Sequence, residues 1–577
     1  MCPAFAAEIY KSVKLSTDGR SSRHARVDEE EAYDDPTEAG PSQPPPGDDD
    51  EGDYGPAPPP EDEDEDEEGR FFGGGISALE SQALNYVNKD TDAAPGSEAK
   101  VDAAWVRRAA LSLERKINRN AELRARFADD PQRFLESEAD LDAEIKWVSS
   151  ITENPAMYGE FVRLGCAAKL VGLLAHENTD IAISAVEIVG ELTDDDVADD
   201  ENEHWTTVAL ACLEADLLGL LVGNLARLDE AQEMDRDGVY YAIGLVENLC
   251  SKEQTAEMVA DNAALLRWLL ERAQKDEKPV TQNKQYAAEV LAILAAVSRK
   301  TRTLLVALDA VDVLLQLAAS YRKRDPEKGG PEGEYMLNLF EALTCLVDEP
   351  EGKAKFVEAE GVELCLIMLK EGKQSKGPSL RLLDHAVGGS SASEVCLKLV
   401  QAGGLKPTFT LFMKTADQQT IRTLLTIFSS MLRLLPANSP ERIRMLAKFV
   451  EKDYQKTARL VSLRQVYVSR CNSIEEEIRT EAKGMDEEAK LAMADGWLLK
   501  RIDGGLYWLQ TMNTILAWLV AEDDGARRKI EELLASRDET LADLKGPMQL
   551  QFDQTDGETE DGREVRDMLA ALMRFLE

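Results

Sequence analysis

A short apolar helix, a tight polar turn and a longer helix recur along this chain. In residues 165–194 the strings CAAKLVGLLAH and IAISAVEIVGELTD flank the turn ENTD, where Asn178 can cap the second helix. The first helix recurs in residues 216–228, 264–273, 309–320, 360–371 and 403–414. Units of this kind, with a period of about 40–47 residues, bury their apolar faces against their neighbours. The repeat therefore predicts an all-α, armadillo/HEAT-type α-solenoid.

Each second helix carries an acidic residue in a mostly apolar string. These residues are Glu187, Glu247, Glu289, Glu341 and Asp384, and their separations are 60, 42, 52 and 43 residues. A carboxylate on an apolar helix is costly unless it reaches water or a partner. Two interpretations stay open: the acids line one groove along the stacked repeats, or they are solvated positions and ion pairs between adjacent repeats.

Charge and composition divide the chain. Residues 28–68 hold 20 acidic and no basic residues, and the net charge of −43 leaves −26 on residues 69–577. The Pro-rich, acidic residues 1–70 cannot bury enough apolar surface to fold, so they are predicted to form a disordered tail. An excess of negative charge disfavours binding to a nucleic-acid backbone and favours basic protein partners.

The repeat pattern sets the predicted domain boundaries. We expect a helical N-terminal cap over residues 71–150, armadillo-type repeats over 151–455 and a helical C-terminal cap over 456–577. The C-terminal helices are rich in apolar and aromatic residues, which a cap requires and which could also support a homodimer. The apolar segment 504–521 is interrupted by Gln510, Thr511, Asn513 and Thr514, so it is predicted to be a buried helix, and no membrane is expected as a partner.

Motifs for catalysis or for cofactors are absent from the sequence. The four histidines form no His-Glu-x-x-His motif, and the chain has no phosphate-binding loop and no paired-cysteine zinc motif. His385 follows Asp384 directly, but adjacent helical residues do not face each other. We therefore predict a non-enzymatic protein with no cofactor and no metal.

Several strings in order along the chain resemble one family. They include RARFADDPQRFLESEADLDAEI (124–145), GVYYAIGLVENL (238–249) and LLKRIDGGLYWLQ (498–510). The chain resembles the beta-catenin-like protein 1 family from about residue 110 to about residue 535. That resemblance implies an armadillo solenoid in a nuclear protein of the spliceosome, associated with the nineteen complex. It also implies that the solenoid binds basic, nuclear-localisation-like segments of splicing proteins, notably a Myb-domain splicing factor of that complex.

The predicted groove differs from that of importin-like armadillo proteins, which place Trp and Asn four residues apart on the inner helix. Glu187 and Glu191 occupy what look like those two columns in the first clear unit. Asn248 resembles the ladder asparagine, with Gly244 at the Trp position. A groove of this kind would attract Lys and Arg mainly by charge, with a strong dependence on salt.

The leading hypothesis is a spliceosomal scaffold that binds basic segments through Glu187, Glu191, Glu247, Asn248, Glu289, Glu341 and Asp384. One alternative is an importin-like nuclear transport adaptor for basic cargo. Such an adaptor would bind its carrier through a basic N-terminal arm, and the acidic residues 28–68 argue against one. The other alternative is an enzyme with an unrecognised site.

Overall fold

The computed structural model describes residues 101–194 and 203–577, and within these ranges the chain forms 26 α-helices and short 3-10 turns but no strand. The predicted acidic tail (1–70) and residues 71–100 of the predicted N-terminal cap lie outside these ranges. Two helices come first, α1 (Ala103–Arg126) and α2 (Leu135–Val148). The first is capped by Asp102, whose side chain accepts a hydrogen bond from the backbone N–H of Trp105 at 2.8 Å.

Six groups of three helices follow. They are α3 (Tyr158–Arg163), α4 (Cys166–Leu173) and α5 (Thr179–Leu192); α6 (Glu203–Glu214), α7 (Leu217–Leu225) and α8 (Glu233–Leu249); α9 (Glu253–Ala260), α10 (Ala263–Gln274) and α11 (Gln282–Val297); α12 (Arg299–Ala307), α13 (Ala310–Ala318) and α14 (Glu332–Leu346); α15 (Pro350–Glu358), α16 (Gly361–Glu371) and α17 (Lys376–Ala386); α18 (Ser393–Gln401), α19 (Leu405–Lys414) and α20 (Gln418–Leu434). This confirms the armadillo-type solenoid. The repeating unit has three helices where the sequence pattern showed two, because a short helix precedes each predicted pair.

The corner between the first and second helix of a repeat is sharp. In five of the six repeats its residue has a left-handed backbone, with φ of 72° at Gly165, 63° at Asp216, 57° at Asp309, 58° at Glu360 and 79° at Gly403. Glycine adopts this conformation without strain, and aspartate tolerates it better than most residues. This geometry explains why a small residue or an aspartate precedes so many of the apolar stripes in the sequence.

The third helices form a continuous row. Helix α2 contacts α5, and each third helix then contacts the next, through α8, α11, α14, α17 and α20. Polar residues cap two of these helices at their N-termini. Asn178 caps α5, as predicted, because its side chain accepts a hydrogen bond from the N–H of Asp180 at 3.0 Å. Asp417 caps α20 in the same way, accepting from the N–H of Thr420 at 2.8 Å. We call α2, α5, α8, α11, α14, α17 and α20, together with α23 below, the third-helix row.

Six helices complete the chain. They are α21 (Pro440–Glu481), α22 (Glu487–Asp503), α23 (Leu506–Glu522), α24 (Asp524–Ala535), α25 (Lys545–Gln554) and α26 (Glu560–Arg574). Helix α23 packs on α20 and ends the third-helix row. Helix α21 contains a break, because its backbone leaves the helical conformation from Glu451 to Tyr454. The predicted boundary at 455/456 lies next to this break and stays a prediction.

Buried arginines hold the C-terminal helices together. The side chain of Arg464 on α21 is 2% exposed; its Nη1 pairs with Glu539 Oε2 at 2.6 Å and its Nε donates to Asn513 Oδ1 on α23 at 2.8 Å. Asn513 Nδ2 in turn donates to the carbonyl oxygen of Leu544 at 3.1 Å. The same arrangement recurs at Arg442, which pairs with Glu522 and donates to the carbonyl of Leu432 at 2.6 Å. Hydrogen-bonded charge pairs of this kind replace the water that each ion loses on burial.

Segment 504–521 corresponds to α23, whose polar residues Gln510, Thr511, Asn513 and Thr514 are buried with its apolar ones. In the described part of the chain no single helix is long and apolar enough to cross a bilayer. Two bent pairs of helices reach the required length and hydropathy only when joined, Glu203–Glu214 with Leu217–Leu225 and Arg299–Ala307 with Ala310–Tyr321.

Exposed apolar side chains lie on one C-terminal helix: on α22, Leu491 is 78% exposed and Leu499 is 62% exposed. The predicted homodimer stays a prediction.

Candidate functional site

The seven residues predicted to bind a partner all lie on the third-helix row. Glu187 and Glu191 are on α5, Glu247 and Asn248 on α8, Glu289 on α11, Glu341 on α14 and Asp384 on α17. The row thus brings the predicted residues onto consecutive helices. Their surroundings differ between the two halves of the row.

The first acids of the row lie together on α5. The pKa of Glu191 is raised, first by desolvation and then by the negative charge of Glu187 one turn earlier. Lys146 on α2 faces Glu187, but its ammonium is paired with Asp142 at 2.8 Å. Neither Glu187 nor Glu191 has an ion pair among the described residues. This end of the row therefore carries uncompensated negative charge.

Tyrosines link α5 to α8 and α8 to α11. Tyr241 on α8 lies near Glu187, and its pKa is raised by burial and then by that carboxylate. The neighbouring Tyr240 packs instead against α11, where its ring centroid is 5.2 Å from that of Tyr286. The Tyr286 hydroxyl donates a hydrogen bond to Glu247. Its pKa is raised by burial first and then by the charge of Glu247. The tyrosines thus make the acidic surface continuous across three helices.

Glu289 sits one turn beyond Tyr286 on α11. Its carboxylate accepts a hydrogen bond from Gln285 Nε2 at 2.6 Å and, in the residues that the structure describes, forms no ion pair. A neutral amide donor leaves the negative charge in place. Glu289 therefore extends the charged surface that begins on α5.

Gly244 explains why no ladder tryptophan stands on α8. A Cβ atom at this position would lie 3.2 Å from the Tyr286 hydroxyl oxygen, closer than most side chains approach. The space that a tryptophan would fill is therefore taken by a tyrosine from the next third helix. Asn248 is also engaged within the protein, since its Nδ2 donates to the carbonyl oxygen of Gly190 on α5 at 3.0 Å.

In the second half of the row, an arginine neutralises one of the predicted acids. Arg381 on α17 pairs with Glu341 on α14. His385 Nδ1 lies 3.0 Å from Asp348 Oδ1. Ion pairs between adjacent repeats were one of the two interpretations of the acidic series, and the structure has such a pair at Glu341. Asp384 differs from all the others, because its Oδ1 is buried without a hydrogen-bond partner among the described residues.

We define the acidic strip as the surface that α5, α8 and α11 share. Its members are Glu187, Glu191, Tyr240, Tyr241, Glu247, Tyr286 and Glu289, together with Asp237, whose charge also raises the pKa of Tyr241. Carboxylates beside tyrosine rings can pair with lysine and arginine and can hold their alkyl stems and charges over an aromatic face. The sequence reasoning missed the three tyrosines. The signal for Tyr240 and Tyr241 was the string VYYAIGLVENL, in which Tyr240 and Glu247 are seven residues apart and so share one helix face. Tyr286 stands three residues before Glu289 in QYAAEVLA, a spacing that also puts two residues on one helix face.

The described residues hold no group of three His, Cys, Asp or Glu side chains arranged to bind a metal ion. Tyr241 and Tyr286, which are partly buried, have pKa values raised above the ordinary 10.0. Carboxylates and protonated phenols are groups that can pair with cations.

Comparison with known proteins gives consistent matches. Residues 81–549 match a family described as catenin-beta-like, Arm-motif containing nuclear. The chain is 36% identical over 506 residues to the beta-catenin-like protein 1 homolog of Schizosaccharomyces pombe, with 86% of each chain covered. It is 34% identical over 456 residues to beta-catenin-like protein 1 of Homo sapiens, covering 76% of this chain and 80% of the human one.

Solved structures align with it at low sequence identity. A crystal structure of an engineered protein aligns with a TM-score of 0.47 and 15% identity, covering 76% of this chain and 95% of that one. A designed armadillo repeat protein aligns with a TM-score of 0.35 and 17% identity, covering 46% of this chain and 99% of that one.

Proposed function

The chain belongs to the catenin-beta-like family of Arm-motif-containing nuclear proteins, and from this premise we propose that it is a non-enzymatic scaffold that binds basic segments of nuclear proteins along the acidic strip. The observation that carries this proposal is the charge of Glu187 and Glu191 on α5 and of Glu289 on α11, the two outer helices of the acidic strip, which no ion pair among the described residues compensates. Unpaired carboxylates held on rigid helices attract cations without first breaking an internal ion pair.

The partners that we propose are proteins of the pre-mRNA splicing machinery. The resemblance carried by residues of about 110 to 535 implies them, in particular a Myb-domain splicing factor of the nineteen complex. Basic segments fit the strip better than nucleic acid does, because a phosphate backbone would be repelled by its carboxylates. A scaffold of this kind would hold a splicing protein in place without contacting the RNA.

We expect reversal of charge on the strip to weaken the binding of a basic peptide at least tenfold, because each substitution replaces an attractive carboxylate by a repulsive ammonium. The variant is Glu187→Lys with Glu289→Lys, and the probe is a fluorescent octalysine peptide followed by anisotropy. Binding to the unaltered protein should weaken steeply as salt rises, since the charges lie at a surface.

The matched control reverses the charge of two exposed glutamates that lie on the first helices of neighbouring repeats. The variant is Glu214→Lys with Glu257→Lys. It changes the net charge by the same amount but leaves the strip intact. If the two double variants lose equal affinity, binding follows overall charge and the strip is not the site. A pull-down of splicing proteins from nuclear extract by the unaltered protein, and its loss with the strip variant only, would extend the result to natural partners.

A further inference from the structure

One carboxyl of the third-helix row stands apart from the acidic strip. Asp384 lies on α17, two third helices beyond the strip, and its Oδ1 is buried with no hydrogen-bond partner in the described part of the chain. The residue as a whole is only partly buried, so another part of it reaches the surface. A buried polar atom without a partner costs free energy comparable to a lost hydrogen bond. The position therefore calls for a donor that the described residues do not supply.

The polar groups of α17, α20 and α23 at this end of the row are engaged with one another. On its own helix, Arg381 pairs with Glu341, and His385 contacts Asp348. On α23, the hydroxyl of Tyr507 is hydrogen-bonded to Thr426 of α20 and to Thr511. Arg422 of α20 lies over the ring of Trp508, 5.3 Å from its centroid, and its Nε donates to the hydroxyl of Tyr467 at 3.3 Å. Both arginines therefore serve other partners.

The surroundings of Asp384 disfavour the ionised form of its carboxyl group. Burial raises the pKa of this carboxyl to about 7, with a smaller opposing effect from His385 and a further increase from Asp348. The negative charge of Asp384 also raises the pKa of Tyr507, after burial, to about 12. A cation placed against the carboxylate would stabilise its ionised form and so would bind more tightly as pH rises.

We propose that Asp384 is an anchor for one cationic side chain, lysine or arginine, of the same basic segment that lies on the acidic strip. This inference rests on the proposed function and adds a second contact point to it. Between the two lies the neutralised pair of Glu341 and Arg381. The segment recognised by this protein would thus carry two cationic clusters separated by a spacer without charge.

The packing of the row sets the length of that spacer. From α11, which carries Glu289, to α17, which carries Asp384, the row advances by two helices. Packed helices lie about 8–10 Å apart, which gives a separation of about 20 Å. An extended chain advances about 3.3 Å per residue, so about six residues bridge the two points.

The test uses two peptides that differ only in one cluster. The two-cluster peptide has three lysines at each end of a spacer of about six Gly and Ser residues, a length that follows from the extended-chain rise. The one-cluster peptide replaces the lysines of one end by serine. At pH 8 we expect Asp384→Asn to weaken the two-cluster peptide about tenfold, as for the loss of one charge-assisted hydrogen bond. The one-cluster peptide, which the strip binds alone, should keep its affinity.

A pH series on the unaltered protein tests the anchor without any substitution. With the Asp384 pKa at about 7, the affinity for the two-cluster peptide should fall about tenfold between pH 8 and pH 6. Asp384→Asn should remove this dependence, whereas His385→Gln should keep it. A two-cluster peptide with arginine in place of lysine in its second cluster should bind as well or better. A peptide with citrulline at those positions should bind more weakly.

The outcomes separate the two proposals. If Asp384→Asn leaves both the affinity and the pH dependence of the two-cluster peptide unchanged, while the strip variant still loses binding, the anchor is wrong and the proposed function stands. If the strip variant binds both peptides as the unaltered protein does, the proposed function itself fails. A pH dependence that disappears with His385→Gln and persists with Asp384→Asn would also overturn the anchor.

Discussion

Replacing Glu539 by alanine is expected to lower the free energy of unfolding of the C-terminal helices by about 3 kcal/mol. Its partner Arg464 is 2% exposed and Glu539 itself is 15% exposed. The substitution leaves the guanidinium buried with Asn513 as its remaining side-chain partner among the described residues. An uncompensated buried charge costs more than the loss of the contact alone. Hydrogen exchange of the amides of α23 would measure the loss locally, since a repeat protein need not unfold as one unit.

Two further variants make this test specific. Glu487 pairs with Lys490 at 2.8 Å but is 92% exposed, so Glu487→Ala is expected to leave the free energy of unfolding nearly unchanged. Removing both buried charges, with Arg464→Leu and Glu539→Leu together, should restore part of the stability, because no ion is then left without a partner. If Glu539→Ala proves as mild as Glu487→Ala, the buried pair does not hold the C-terminal helices together.

Asp384→Asn is expected to stabilise the protein, and increasingly so as pH rises. The carboxyl has a pKa of about 7 in the folded chain against an ordinary value of 3.8. A pKa that folding raises means that the protonated form is favoured in the native state. Its stabilising contribution is complete below pH 3.8 and is lost as pH rises through 7. The neutral amide does not suffer this loss. The stability difference between the variant and the unaltered protein should therefore grow by about 2 kcal/mol from pH 5 to pH 8, a figure reduced for partial exposure.

This difference can be followed by urea denaturation or hydrogen exchange of α17 at each pH. Asp495→Asn on the exposed face of α22 is the matched control, and its effect should not vary over this range. A constant difference for Asp384→Asn would mean that the carboxyl is ionised at all these pH values. In that case the pH-dependent peptide binding expected of the anchor would also be absent.

Much of the fold could be predicted because the longest helices carry the clearest periodicity. The second and third helices of each repeat have long apolar stripes and recognisable polar caps such as Asn178. The first helices were missed, since α9 and α12 are only eight and nine residues long and are rich in polar residues. Nothing in a segment of that length distinguishes a helix from a polar loop until the neighbouring repeat covers it.

The candidate site was predictable only in part, for a different reason. Helical periodicity identifies which residues share one face of one helix, and this located Glu187, Glu289 and Asp384. The side chains that each acid contacts depend on the register between neighbouring helices. The periodicity of a single helix gives no information about that register. Glu341 meets an arginine 40 residues later in the chain. Asp384, with the same kind of sequence neighbours, has an oxygen that meets no hydrogen-bond donor among the described residues.

The close approach of Gly244 to Tyr286 constrains how this surface can evolve. A side chain at position 244 would lie too close to the hydroxyl of Tyr286, although the two residues belong to different repeats. An importin-like tryptophan at 244 would therefore require the side chain at 286 to move or to give way to a smaller residue. Either change would take the hydroxyl away from Glu247, to which it donates. A substitution in one repeat of this row is thus coupled to the tyrosine of the next.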